Sequence, residues 1–447
     1  MADRQILTNR GTLLGSLAAA VAVGGAALGL LTLGPGDPPP AAPHPAARPA
    51  AAPGDPAAAV ARRQEWLRGH PDDHASWAAL GADYVEQARR TADPSYYPKS
   101  QAALERSLKL RGPERNVDAA VGMGALANAR HDFAAARDWG ERARRAAPGN
   151  WTVYPVLVDA YTQLGDYPRA TAAVQRLLDL KPSLPAFARA AYELQTHGRP
   201  ADSAAALHRA LDLANDPADR AFCLHRLGEL DWERGDIKSA LARYEAALAA
   251  DPTAHAALAG RARARAALGD TAAALADYQR LTARVPLPEY VLALGELYES
   301  LGRGKQAREQ YDVLRAEVEL FAANGVTDDL TLGLFEADHG SPARAVRTLR
   351  AEWARRHSVL VADALGWALH RAGRDEEALP YARQPDRLGW RGASFAYHQG
   401  EIDRSLGRDT EARAHLKEAL RLNPHFSPLQ APAARKALTG LDGTGRA

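Results

Sequence analysis

Residues Ala221–Pro252 read AFCLHRLGELDWERGDIKSALARYEAALAADP. The stretch predicts two short amphipathic helices back to back, the first over about Ala221–Arg234 and the second over about Ile237–Ala250. Gly235 stands where the first helix must reverse, and Gly tolerates the left-handed backbone that a helix C-terminus commonly takes. Pro252 cannot continue the second helix and marks the step to the next unit. Small residues fall at set places, Gly228 in the first helix and Ala240 and Ala247 in the second, where two helix backbones come closest. Leu224, Leu227 and Tyr244 fill the space between. Neither helix could bury its apolar face alone, so the pattern requires copies on both sides.

The copies are present. Upstream, Trp77, Gly81 and Tyr84 open a unit whose second helix, Tyr97–Leu110, aligns without a gap on Tyr167–Leu180. The insertion in that unit, ARRTADPSYY, reads as a loop open to a partner. Gly124, Ala136, Ala143 and Pro148 mark the next unit, and Tyr154, Tyr161, Gly165, Ala170 and Pro182 another. Phe187, Ala191 and Gly198 begin a longer one that ends near Pro217. After the central unit come Leu258, Gly269, Ala274, Tyr278 and Pro286, then Gly295, Tyr298, Gly302, Ala307 and Tyr311, with a second helix prolonged to about Ala323. Gly333, Gly340 and Ala345 mark a degenerate unit, Gly366, Gly373 and Ala378 another, and Gly400, Gly407, Ala412, Ala419 and Pro424 the last.

A large residue, a small one, a Gly turn, two alanines and a closing Pro over about 34 residues resembles the tetratricopeptide repeat. The fold class expected is all-α: an α-solenoid of about ten helix-turn-helix repeats across residues 57–440, with no strand-like alternation. Ala57–Pro71 supplies a lone helix that caps the array, the segment PLQAPAARKALTGL a final capping helix, and residues 441–447 a frayed tail.

The N-terminus is of another kind. Residues 1–11 carry Arg4 and Arg10, and Thr12–Leu33 holds no charge. Its 22 residues, at about 1.5 Å each, span roughly 33 Å as a helix, enough for a bilayer core. A cleaved signal peptide has a shorter apolar core and a small-residue cleavage site. Here prolines 35, 38, 39 and 40 follow the apolar run, so a retained signal anchor is expected. No Cys follows for lipidation. The positive-inside tendency puts residues 1–11 in the cytoplasm and the repeats outside, on a bacterial cytoplasmic membrane crossed once. Residues 34–56 form a Pro/Ala-rich linker that tends toward extended polyproline II.

Composition excludes more than it specifies. The chain has 447 residues, 46% of them hydrophobic, and a net charge of +2, so nothing draws it to nucleic acid. Abundant Ala and Arg fit a GC-rich bacterial genome. Cys223, the only cysteine, forms no intrachain disulfide and reads as a small core residue. No phosphate loop, nucleophile elbow, HExxH or CxxC motif occurs, so neither catalysis nor a cofactor or metal is expected. His70-Pro-Asp-Asp-His74 has metal-like residue types, but reads as an inter-repeat turn in which Asp72 or Asp73 caps the next helix.

Binding remains, and the resemblance implies a concave face lined by first-helix residues. Those offsets select His225, Glu229, Trp232, Glu233, Arg263, Glu296 and Glu299 in the central units, and Asp363, Trp367, His370, Arg371, Tyr397, Glu401 and Arg404 in the C-terminal ones. Aromatic and Arg side chains are the types enriched at binding hot spots. Family members that bind chaperone tails clamp a carboxylate with Lys and Asn at first-helix positions. Here the matching places hold Ala78, Ala82, Val121, Ala125, Pro155 and Asp159, which argues against that ligand. The expectation is a membrane-tethered scaffold that holds a partner protein or peptide, for assembly of an envelope or transporter complex. The alternatives are a secreted binding protein, and a metal-handling accessory using His370, His398 and Glu401.

Overall fold

A computed structural model describes residues 56–444. The expected tail, membrane helix and most of the linker, residues 1–55, lie outside the described residues. Among the described residues every regular element is a helix, and none is long and apolar enough to cross a membrane.

A lone helix, α1 (Pro56–Gly69), precedes ten helix pairs. They are α2 (His74–Thr91) with α3 (Tyr96–Leu110), α4 (Val117–Ala129) with α5 (Phe133–Ala146), and α6 (Val153–Leu164) with α7 (Tyr167–Leu180). Next come α8 (Leu184–Thr196) with α9 (Pro200–Asp212), α10 (Pro217–Glu233) with α11 (Ile237–Ala250), and α12 (His255–Ala267) with α13 (Thr271–Thr282). Then follow α14 (Pro288–Ser300) with α15 (Gly304–Ala323) and α16 (Asp329–His339) with α17 (Pro342–Arg355). In the ninth pair α18 (Val359–Arg371) meets α19 (Asp375–Ala382), continued by the short α20 (Gln384–Leu388). The last pair is α21 (Ala393–Ser405) with α22 (Asp409–Leu422), and α23 (Gln430–Thr444) closes the array. The solenoid of helix pairs expected from the sequence is the fold observed.

Each reversal is local chemistry. Gly235 has φ 75° and ends α10, after which the Asp236 side chain accepts from the Ser239 N–H at 3.2 Å and caps α11. The same Gly-Asp pair opens α7 at Asp166 and α13 at Asp270. At the α4–α5 turn His131 takes the left-handed conformation in place of Gly, with φ 62°, before Asp132 caps α5.

Several pairs share one contact: a large second-helix residue seats on the missing Cβ of a first-helix glycine. Tyr244 packs on both Gly228 and Gly260, where an added Cβ would come within 2.7 and 2.5 Å of its ring. Leu104 on Gly81 and Gly122, Tyr311 on Gly295, Leu349 on Gly333 and Leu416 on Gly400 repeat the contact.

Three boundaries differ from expectation. Pro217 opens α10 rather than closing the unit before it, because Pro at a first helical position loses no hydrogen bond and Asp216 accepts from Ala218 N at 2.7 Å. The insertion ARRTADPSYY is mostly helix. α2 runs to Thr91, with Glu86 paired to Arg89 and Arg90 along its surface, and only residues 92–95 lie between the helices. The supposed tail is also helical through Thr444, because Leu441 is buried and Arg413 binds both the Leu441 carbonyl and Asp442. In the ninth pair Pro380 lies within α19, and Pro385 stands at the start of α20.

The chain divides into two compact units. Among the described residues one comprises 56–189 together with 319–327, and the other 190–318 and 328–444. In the first, Thr327 N donates to Arg130 O at 3.2 Å, and buried Arg189 grips buried Asp159 with two bonds of 2.9 and 2.7 Å. The second holds two extended clusters of buried hydrophobic side chains. One runs over α16–α23 from Leu330 to Leu441, and another over α12–α16 from Leu258 to Phe335.

Candidate functional site

All fourteen residues selected from the sequence lie on first helices of the second unit: α10, α12, α14, α18 and α21. Their side chains tie α10 to α12, α14 through α16 to α18, and α18 to α21.

At the N-terminal end of the row, Glu229 accepts from Tyr244 Oη at 2.6 Å and from Arg263 Nη2 at 2.7 Å, with His225 Nε2 at 3.4 Å. Burial opposes ionisation of Glu229, and Arg263, His225 and Tyr244 together overcome it, holding its carboxyl well below the usual range. Arg263 also lies over the indole of Trp232, 4.3 Å from the ring centroid. Glu233 is treated differently. Burial pushes its pKa up to about 8 despite Arg226, and Gln195 Nε2 donates to its Oε1.

The next links join α14, α16 and α18. His339 Nε2 and Nδ1 face Glu296 at 3.2 Å and Glu299 at 3.1 Å, while Tyr311 Oη donates to Glu299 at 2.7 Å. Burial works against the charged imidazolium, yet the two glutamates hold the pKa of His339 above its ordinary value. Trp367 Nε1 donates to Asp338 Oδ1 at 3.0 Å, and Arg371 Nε donates to the Ala337 carbonyl at 3.2 Å.

At the far end His398 Nδ1 lies 2.9 Å from Asp363 Oδ2, and its ring stacks on Trp367 at 4.3 Å. Tyr397 touches the rings of Trp367 and Phe426. Arg404 pairs with Glu401 at 2.6 Å and His370 with Asp375.

This row is largely closed. Glu229, Trp232, Glu233, Asp363, Trp367, Tyr397 and Glu401 are buried, and His225, Arg263, Glu296 and His370 half-buried. Only Glu299, Arg371 and Arg404 present exposed side chains. In the structure these residues stand on first helices. The sequence read them as an open surface, whereas most of them bind one another. Sequence reasoning missed Asp338 and Gln195, and read Tyr244 only as filling between the helices. Asp338 was within reach, since it follows Gly333 by the same step that separates Arg371 from Gly366.

The remaining sequence candidates are structural. Ala78, Val121, Ala125 and Pro155 are buried, and Asp159 is engaged by Arg189. Cys223 is buried, and burial raises its thiol pKa to about 12. In the His70–His74 turn Asp73 caps α2, as expected of one of the two aspartates, while the His70 ring stacks on Trp66 at 3.8 Å. His370, His398 and Glu401 do not converge, because Asp375, Asp363 and Arg404 hold them separately. Among the described residues no group of three or more His, Cys, Asp or Glu is placed to hold a metal ion.

The family description "Tetratricopeptide repeat" matches residues 225–286 and 260–319, and a second of the same description matches residues 393–426. No curated protein matches the sequence. Solved structures similar to this one include a tetratricopeptide repeat protein from Parabacteroides merdae (18% identity, 59% of this chain and 100% of that one, TM-score 0.34). PilW, a type IV pilus biogenesis factor, shares 21% identity over 46% of this chain and 97% of its own, with TM-score 0.39. Human IFIT1 bound to m7Gppp-AAAA shares 16% over 74% of this chain and 76% of its own, with TM-score 0.46. These TM-scores are too low to place a site or a partner.

Proposed function

We propose that this chain, a tetratricopeptide repeat protein, is a protein–protein interaction scaffold that acts by binding and not by catalysis. The observation that carries the reading is the row of first helices α10, α12, α14, α16, α18 and α21. Polar and aromatic side chains there are locked by inter-repeat contacts, with Glu299, Arg371 and Arg404 left exposed. A row fixed before binding loses little side-chain entropy when a ligand arrives, so it suits an extended segment of a partner protein. Arg371 and Arg404 supply guanidinium donors for the acidic side chains and carbonyls of such a segment.

Thr12–Leu33 is assigned as a retained membrane anchor. With the Pro/Ala-rich linker it would hold the repeats outside the cytoplasmic membrane, where the partner is a component of an envelope or transporter complex. The test is crosslinking and affinity capture of the tagged full-length protein from its own membranes. The reading requires a reproducible envelope partner that is lost on deleting residues 1–56. It further requires loss on Arg371→Glu with Arg404→Glu, with the helical circular dichroism unchanged. Recovery of the protein outside the membrane fraction, starting near the Pro-rich segment, would replace the anchored reading with a secreted one.

A further inference from the structure

Where α14, α15 and α16 meet, one imidazole stands between two carboxylates. His339 is the last residue of α16, and its side chain is only 6% exposed. Its Nε2 lies 3.2 Å from Glu296 Oε1 and its Nδ1 lies 3.1 Å from Glu299 Oε2, both on α14. The Tyr311 ring of α15 stacks on the imidazole at 4.7 Å, and Phe335, one turn back on α16, at 6.0 Å.

Donor counting fixes the charge of this joint. A neutral imidazole has one N–H and one lone pair, whereas an ionised carboxylate only accepts. Both ring nitrogens therefore bond to the two carboxylates only when both carry a proton. The groups around the ring offer no other arrangement. Tyr311 Oη donates to Glu299 at 2.7 Å. Asp338 faces Trp367, Arg371 and Gln430 and adds negative charge beside the ring. Glu336, three residues back, accepts from the Ser341 N–H and from Arg344. Arg315 of α15 lies over the Phe335 ring at 4.9 Å. Burial opposes the imidazolium, and Glu296, Asp338 and Glu299 outweigh it, so the pKa of His339 stands above the ordinary 6.5. Burial raises the carboxyl of Glu296 as well.

The two bonds are not equal. Glu296 is half-buried, so a carboxylate left there without its donor costs more than one at exposed Glu299, which keeps Tyr311 and reaches water. The proton that leaves is thus the one on Nδ1, whose lone pair then faces Glu299.

We propose that this joint is a proton-operated catch on Glu299. Protonated, it ties the carboxylate to α16. Deprotonated, it keeps Glu296 and frees Glu299 as an acceptor for a basic side chain of a bound segment. The bound segment rests on the scaffold reading above, whereas the catch does not. By linkage, the catch's contribution to stability is complete below pH 6.5 and is lost as pH rises through the higher folded value.

The test is carboxyl labelling of the full-length protein with a carbodiimide and glycine ethyl ester at pH 6 and pH 8.5, read by mass spectrometry. Exposed Glu309 of α15 is the internal standard. Labelling of Glu299 relative to Glu309 should rise several-fold between the two conditions, and in His339→Gln it should be the same at both. A ratio indifferent to pH in the unaltered chain, or one that rises equally in His339→Gln, would overturn the proposal. A second measurement holds even where that variant fails to fold. In ring-¹³C-histidine spectra Glu299→Gln, a change at an exposed position, should lower the titration midpoint of one imidazole. Midpoints that all stay put would also overturn the catch. Neither measurement uses a ligand, so a failed scaffold reading is told apart.

Discussion

The guanidinium of Arg263 lies over the indole of Trp232 at 4.3 Å and donates to Glu229 at 2.7 Å, so one side chain from α12 both stacks on α10 and neutralises its buried carboxylate. Breaking a buried pair by removing one partner leaves the other charge uncompensated, at a cost of about 3–5 kcal/mol. Arg263→Met should therefore lower the urea-unfolding free energy by about 3 kcal/mol. Adding Glu229→Gln should restore part of the loss, and the coupling is read from the double-mutant cycle.

Tyr244 sits in the notch left by Gly228 and Gly260. Gly260→Ala pushes a methyl into a ring that also donates its hydroxyl to Glu229, so the pair must splay. The expected loss is about 1–3 kcal/mol from overpacking. Gly69→Ala is the control, since a Cβ there meets nothing within 4 Å. Both are measured by chemical denaturation.

Glu233 gives the fold a pH dependence. Its pKa is pushed by burial to about 8, against an ordinary 4.5. Between those values the folded chain keeps a proton that the unfolded chain has released, so this contribution is complete below pH 4.5 and is lost as pH rises through 8. Glu233→Gln should flatten that fall. It should be more stable than the unaltered protein at pH 9 by on the order of 1–3 kcal/mol, read from urea midpoints at pH 5 and 9.

Trp367 and Arg371 are neighbours on the same face with different roles. Trp367 is 2% exposed and donates to Asp338, so Trp367→Ala should cost about 3–5 kcal/mol and shift the thermal melt. Arg371 is exposed, and Arg371→Ala should stay within about 0.5 kcal/mol. Partner capture therefore reports on binding through Arg371 and on folding through Trp367.

Much of this protein is written at short range. The left-handed Gly235 and the capping Asp236 are adjacent, and Gly228 lies less than one repeat from the Tyr244 that fills it. Helix pairs, their order and the placing of Glu229, Trp367 and Arg404 on first helices follow from such offsets, because each repeat contacts its neighbours at fixed separations. The departures are equally local. The rule that Pro ends a helix misplaced Pro217, which opens one, and nothing in ARRTADPSYY revealed that Glu86 would hold Arg89 and Arg90 in helix.

What tertiary structure decided is how far the row closes. Trp232 is buried because Ile237, Ala240, Tyr244 and Ala264 of its own and the next repeat pack on it, with Arg263 over its ring. The sequence offsets do not show which side chains close over it. The sequence by itself determined the repeat and the helices that carry the row. Only the folded chain decided that Glu229, Trp232 and Trp367 would be buried there while Glu299, Arg371 and Arg404 stayed exposed, since burial depends on which side chains of the neighbouring helices close over each one.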